Sequence, residues 1–380
     1  MTEKLNSPSD EVLSRAIMEI KEPVIFQRML KNAQGEYTWK LFEWNLSELA
    51  EKFGDVKLPF RVGYNAKSMS PQWEVNCSTV LMTLSEFIQH IEHHKNDKKW
   101  YYFDYKYMQE WFKNKLEIIN SVNWRRFGFN KTGDDSTVWI GSEGAHTNCH
   151  QDSYGCNLVA QIHGRKQWIL FPPSSSNFLQ PTRVPYEEST IYKPGDVLFV
   201  PPGWWHYVES LDFTISVNIW LPIITDNVSR VKEAIIKLIM ARIGKNVCST
   251  PDEANCTLSY CMNLLNIALR ECKNMDHVEL LSKKMRCNTW TAEDLATEYP
   301  LYVKLLREFS KTELEEFLKM KMERFSGDIE SLKDNTSKTD IDVQNTYFST
   351  QQLSENILNA LCHPDVINKV AELLLLQCSM

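Results

Sequence analysis

Asn157-Leu-Val-Ala-Gln-Ile162, His163-Gly-Arg165, Lys166-Gln-Trp-Ile-Leu-Phe171 is the stretch on which the fold turns. Two short apolar runs flank a glycine-centred turn, the pattern of adjacent strands joined by a tight connection. Pro172-Pro-Ser174 closes the second run. Further runs follow: residues 197–200 after the turn Lys193-Pro-Gly-Asp196, and residues 213–221 after Pro201-Pro-Gly203; residues 138–140 precede them all. Short strands divided by turn residues predict a barrel or sandwich over 136–222.

Outward from this centre the pattern changes. Residues 1–135 alternate helices and strands. Val12, Ala16, Ile17 and Ile20 have helical spacing over 9–21, stopped by Glu22-Pro23. Asn45 suits the start of a helix that ends at Gly54, and Thr83-Leu-Ser-Glu86 reads as a capping box. Aromatic density over Lys99-Trp-Tyr-Tyr-Phe-Asp104 predicts a strand. Beyond residue 226 the spacing becomes helical, in 228–244, 258–269, 312–325 and 356–376. Residues 326–345 are polar and predict a disordered linker. The expected organisation is a β-rich domain with an N-terminal elaboration over 1–225 and a helical C-terminal region over 226–380.

Composition excludes several classes. Net charge of −7 gives no general attraction to nucleic acid or to an anionic membrane. The first residues lack the apolar core of a signal peptide, and no apolar run reaches the roughly 18 residues of a membrane span. None of the ten cysteines forms a C-x-x-C pair, so they read as reduced thiols in a cytoplasmic protein, with the nucleus as a second location.

The chemistry centres on His150-Gln-Asp152. In an extended segment the histidine and aspartate face one side. His206, in Gly203-Trp-Trp-His206, is the candidate third ligand. Two imidazoles and one carboxylate form the facial triad of non-haem Fe(II) oxygenases, although the same donors suit Mn, Ni or Zn. Taken alone, H-x-D is more often a pair of surface residues. Lys166 lies on an apolar hairpin, where burial is costly without an anionic partner. A dicarboxylate co-substrate would be such a partner; a lysine turned to water is the equal alternative. Thr147 could bond the same carboxylate.

Taken together, Thr147-Asn-Cys-His150-Gln-Asp152, the hairpin 157–171, Gly195-Asp196 through Trp205-His206, and Ser216-Val-Asn218-Ile-Trp220 resemble the JmjC domain of 2-oxoglutarate oxygenases. The similarity covers roughly residues 20–225 and is nearest to the factor-inhibiting-HIF-like group of small hydroxylases. It implies a double-stranded β-helix, the cupin/JmjC jelly roll: a mainly β core with helices, followed by an α-helical region. It also implies Fe(II) held by His150, Asp152 and His206, with 2-oxoglutarate and O2 as co-substrates. Lys166 and Thr147 would bind the distal carboxylate, joined by Tyr102 or by its neighbour Tyr101. Asn157 and Asn218 would line the iron and co-substrate, and Trp220 would share the face of Asn218.

Tyr154-Gly-Cys-Asn-Leu158 and Pro181-Thr-Arg-Val-Pro-Tyr-Glu-Glu-Ser189 resemble a narrower JmjC subgroup associated with a small heat-shock protein, which implies such a partner. Two departures stand out. The loop from Asp152 to Asn157 is one residue longer than the usual pattern, and 174–195 is short, which implies either a shortened form of the domain or a more open site. Three functions follow: hydroxylation of a protein side chain, a binding scaffold for a small heat-shock protein, or hydroxylation of RNA. Only Trp124-Arg-Arg-Phe-Gly-Phe-Asn-Lys131, which mixes bases and aromatics, speaks for RNA, and a solvated turn is the simpler reading of it. The C-terminal helices also suit a homodimer interface.

Overall fold

The computed structural model describes residues 7–65, 72, 77–93, 98–177, 189–192, 194–243, 258–283, 290–324, 357 and 360–379. Its strands are β1 (Val24–Phe26), β2 (Leu58–Tyr64), β3 (Ser78–Met82), β4 (Lys99–Tyr107), β5 (Thr137–Gly141), β6 (His146–Gln151), β7 (Cys156–His163), β8 (Lys166–Phe171), β9 (Ser189–Tyr192), β10 (Val197–Val200), β11 (Trp205–Ser210), β12 (Thr214–Leu221) and β13 (Val303–Leu305). They form a nine-stranded sheet, β13-β1-β10-β7-β12-β5-β4-β2-β3, and a four-stranded sheet, β6-β11-β8-β9. The paired strands run antiparallel, and inward residues of both sheets meet in one core: Val159, Leu198 and Val200 from the larger, Trp168, Leu170 and Val208 from the smaller. This is the jelly-roll architecture expected from the sequence.

The helices are α1 (Asp10–Glu19), α2 (Leu46–Phe53), α3 (Leu84–His93), α4 (Met108–Phe112), α5 (Leu116–Ile119), α6 (Asp226–Ile243), α7 (Leu258–Lys283), α8 (Ala292–Glu298), α9 (Lys311–Arg324) and α10 (Pro364–Ser379). Their starts follow local chemistry. Ser9 accepts from the Val12 amide, and Asn45 forms a capping box with Glu48 ahead of α2. Thr83 and Glu86 exchange reciprocal bonds at the start of α3.

The described residues fall into two compact units, one within 1–221 and 289–334, the other within 222–288 and 335–380. The expectation of one helical region from 226 onward therefore meets a different division. β13 pairs with β1, Val24 opposite Leu305, which completes the edge of the large sheet. Phe317 of α9 packs on Ile169 and Phe171 of β8. In the second unit α6, α7 and α10 share a core of Val231, Ala234, Ile235, Leu265, Ala268, Cys272, Ile367 and Ala371. The linker expected over 326–345 lies outside the described residues, as does most of 356–359. No helix among the described residues is long and apolar enough to cross a membrane.

Candidate metal centre

β6 carries too few apolar residues to announce itself as a strand, yet its antiparallel register with β11 places His206 directly opposite His150. The two imidazole centroids lie 4.2 Å apart. Asp152, one residue beyond β6, brings its Oδ1 to 3.7 Å from His150 Nε2 and 3.9 Å from His206 Nε2. Among the described residues these three form a cluster whose ligand atoms all lie within 4.8 Å of one another. Their donor set, two imidazole nitrogens and one carboxylate oxygen, fits Fe(II).

Each ligand is held by its other polar atom. His150 Nδ1 donates to the Asn148 carbonyl at 2.8 Å, and His206 Nδ1 to the Trp204 carbonyl at 3.1 Å. In the neutral ring this leaves Nε2 as the lone-pair atom, aimed at the common point. Asp152 Oδ2 accepts from Asn157 Nδ2 at 3.0 Å and from Trp220 Nε1 at 2.9 Å. Asn218 donates to Asn157 Oδ1 at 2.8 Å and accepts from Trp139 Nε1 at 2.7 Å. Asn157 and Asn218, which line the pocket, thus also hold the aspartate from behind and leave Oδ1 free for a metal.

Burial works against an ionised Asp152, but the facing imidazoles and the Trp220 N–H outweigh it and hold the carboxyl well below its usual range. Burial lowers His206 to about 4, so this ring is neutral and able to ligate. His150 is also opposed by burial, yet its bond to Asp152 carries it above its ordinary value.

A pocket with roughly 370 Å³ of open space, mouth included, connects the triad to a second cluster. Lys166 is 2% exposed, with Nζ 2.8 Å from Ser216 Oγ and 3.1 Å from the Tyr102 hydroxyl. Both contacts are neutral hydroxyls. Burial brings the amine down to about 7, with Asp104 offsetting part of the effect. Burial also raises the Tyr102 phenol, keeping it a neutral hydrogen-bonding group. Thr147 lines the same pocket. Tyr101, the alternative to Tyr102, turns to the opposite face and meets His90 edge-to-face at 4.8 Å.

Every expected site residue, His150, Asp152, His206, Tyr102, Thr147, Asn157, Lys166 and Asn218, lines this one pocket, with Trp220. Sequence reasoning assigned no role to Ser216, Trp139 or Trp168. Ser216 was within reach, since it shares an alternation with Asn218 and Trp220. Trp139 comes from β5, and only sheet order brings it in. In the stretch 124–131, Trp124 and Phe127 are fully buried, and Arg126 pairs with Asp10 at 2.7 Å. Those two aromatics belong to the core, while Arg125 is exposed and Lys131, its side chain 42% exposed, pairs with Asp135 at 2.6 Å. Of the short segment 174–195, residues 178–188 and 193 lie outside the described residues; β9 pairs with β8, Lys166 opposite Tyr192.

The cupin-like domain family matches residues 9–192 and 185–226. HSPB1-associated protein 1 of Homo sapiens is 38% identical over 271 residues, 61% of this chain and 54% of its own length. HSPB1-associated protein 1 homolog of Danio rerio is 34% identical over 312 residues, 70% of this chain and 68% of its own. A more distant relative, 2-oxoglutarate and iron-dependent oxygenase JMJD4 of Danio rerio, is 27% identical over 209 residues, 46% of this chain and 48% of its own. The chain spans about half the length of the mammalian relatives it matches.

Proposed function

This chain belongs to the cupin-like family of JmjC-domain proteins, and from that premise we propose that it is an Fe(II)- and 2-oxoglutarate-dependent oxygenase that hydroxylates a protein side chain. The observation that carries the reading is the buried Lys166 amine, whose hydrogen bonds among the described residues go to two neutral hydroxyls, beside the Tyr102 and Trp139 ring faces, and which opens into the same pocket as the triad. A buried cation without an acidic partner is expensive. The distal carboxylate of 2-oxoglutarate would supply the partner, and the triad would take the other end of the molecule.

His150, Asp152 and His206 would hold Fe(II), which with 2-oxoglutarate and O2 supplies the oxidising chemistry, releasing succinate and CO2 and inserting one oxygen atom into a C–H bond. The chain's own residues do the positioning. Asn157 and Trp220 fix the Asp152 carboxylate so that one oxygen faces the metal point. Lys166, Tyr102, Thr147 and Ser216 bind and orient the co-substrate carboxylate. Trp168 stacks on His206 at 5.6 Å, and with Val159 and Val208 it keeps water from the inner wall.

The names of the relatives favour a second reading, a scaffold that binds a small heat-shock protein such as HSPB1. One comparison addresses both. Purified wild type with Fe(II) and 2-oxoglutarate should form succinate, and Asp152→Ala should lose at least about a hundredfold of that turnover, since a metal ligand is removed. Mass spectrometry of protein mixtures should reveal products one oxygen heavier with wild type alone. Iron loading without turnover would overturn the oxygenase reading. In the scaffold reading, HSPB1 is bound equally by wild type and Asp152→Ala.

A further inference from the structure

Tyr105 breaks the β4 ladder. Tyr102 and Phe103 pair with Gly141 and Ile140, and Lys106 and Tyr107 pair with Val138 and Thr137. Asp104 and Tyr105 therefore oppose the single residue Trp139. This is a β-bulge, a device found beside active sites that re-aims a side chain. Tyr105 holds φ +54 there, a left-handed conformation that a bulky residue keeps only when its surroundings enforce it.

The extra residue reverses the alternation beyond it. By simple alternation Tyr105 would point away from the face that carries Tyr102. The bulge returns it, so that its ring lies 5.9 Å from Trp139 and 5.4 Å from Trp220. Tyr107 follows on the same face, its ring 5.6 Å from that of Tyr105 and the two hydroxyls 3.2 Å apart. Trp139 and Trp220 line the metal pocket. Their indole N–H groups are committed inward, to Asn218 and Asp152. Tyr105 remains 47% exposed and Tyr107 38%. With the two hydroxyls paired to each other, exposed ring surface is what this cluster presents to a ligand.

We propose that Tyr105 is a substrate-contacting residue and that, with Trp139 and Trp220, it forms an aromatic rim seating an apolar side chain of the substrate polypeptide, beside the residue to be oxidised. The proposal rests on the oxygenase reading above. The substrate class follows from the cluster: its four aromatic side chains carry no charge, both indole donors are used, and the negative ring faces disfavour a carboxylate. Covering exposed ring surface with an apolar side chain is the interaction the proposal assigns; a cation over the ring faces is the competing occupant that the test distinguishes.

The test is a selection. Full-length wild type, Tyr105→Phe, Tyr105→Ala and Tyr105→Gly are immobilised with anaerobic Fe(II) and 2-oxoglutarate and exposed to a degenerate library of synthetic dodecapeptides. Tyr105→Gly removes the ring while suiting the left-handed backbone, which guards against a folding defect. Wild type and Tyr105→Phe should enrich apolar residues at one peptide position by roughly tenfold, as an aromatic hot spot does. Tyr105→Ala and Tyr105→Gly should lose that enrichment, with peptide-free 2-oxoglutarate turnover within about twofold of wild type, because uncoupled turnover does not use the substrate contact. Unchanged preferences in both ring-deleted variants, no preference in wild type, or enrichment of charged residues would overturn the proposal. Absence of turnover in wild type would instead bring down the oxygenase reading, and the selection would still judge the rim.

Discussion

At the scale of single residues, Lys166 has the most testable chemistry. Its free amine sits at about 7 because burial opposes the charge. The protonated form is the one that attracts a carboxylate. As pH rises through 7 the free site loses its charge, so 2-oxoglutarate affinity should fall, by up to about tenfold per pH unit, and binding above 7 should take up a proton. Calorimetry in buffers of different ionisation enthalpy checks both. Lys166→Met should raise the KM for 2-oxoglutarate roughly 10- to 100-fold, the loss of one charge-assisted bond, and should abolish the pH dependence. Legibility in the sequence was uneven at this scale. His150, Asp152, His206 and Lys166 were visible through residue type and spacing. Tyr102 was separable from Tyr101 only once β4 had a definite inner face, and Tyr105 was hidden because a bulge shifts parity without leaving a mark in a local window.

At the scale of elements, caps and turns were the readable part, since a cap is settled by a few neighbouring residues. Gly164 shows how sharply one turn is determined. It has φ +66, and a Cβ there would lie 1.9 Å from the Phe213 carbonyl oxygen. Gly164→Ala should therefore destabilise the β7–β8 hairpin by at least about 2 kcal/mol, combining left-handed strain with a clash against backbone that cannot move aside. A thermal melt should show a fall of about 5 °C or more in Tm. Because β8 carries Lys166 and pairs with β11, which carries His206, metal affinity should weaken in the same variant. β6 was harder to read. Its residues serve a polar pocket on one face, which removes the apolar alternation by which strands are recognised.

At the scale of the whole molecule, the helices after residue 226 serve two units. α9 and β13 complete the first, so ending the chain near 225 would strip the edge of β1 and the cover of β8 as well as the remaining helices. Self-association through the C-terminal helices is better tested by substitution. On α10, Val366, Val370, Leu373 and Leu376 are 40%, 37%, 48% and 58% exposed, on the side away from the buried Ile367 and Ala371. This apolar stripe supports the homodimer proposal. Leu373→Glu with Leu376→Glu should convert a dimer to a monomer in gel filtration with light scattering, without lowering the Tm of the first unit. An unchanged elution volume would remove the stripe from any such interface.

What the sequence determined by itself was local: the ligand types, the caps, the hairpin turn and the family pattern that ties them together. These depend on neighbours within a few positions of one another. Tertiary structure alone decided the rest. It set the β6–β11 register that faces His150 with His206, the hydroxyl pair around the Lys166 amine, the bulge that turns Tyr105 toward Trp139 and Trp220, and the pairing of β1 with β13 across most of the chain. Register, parity and partner choice are properties of two segments meeting in space, and they are fixed by the packing of the common core rather than by either segment alone.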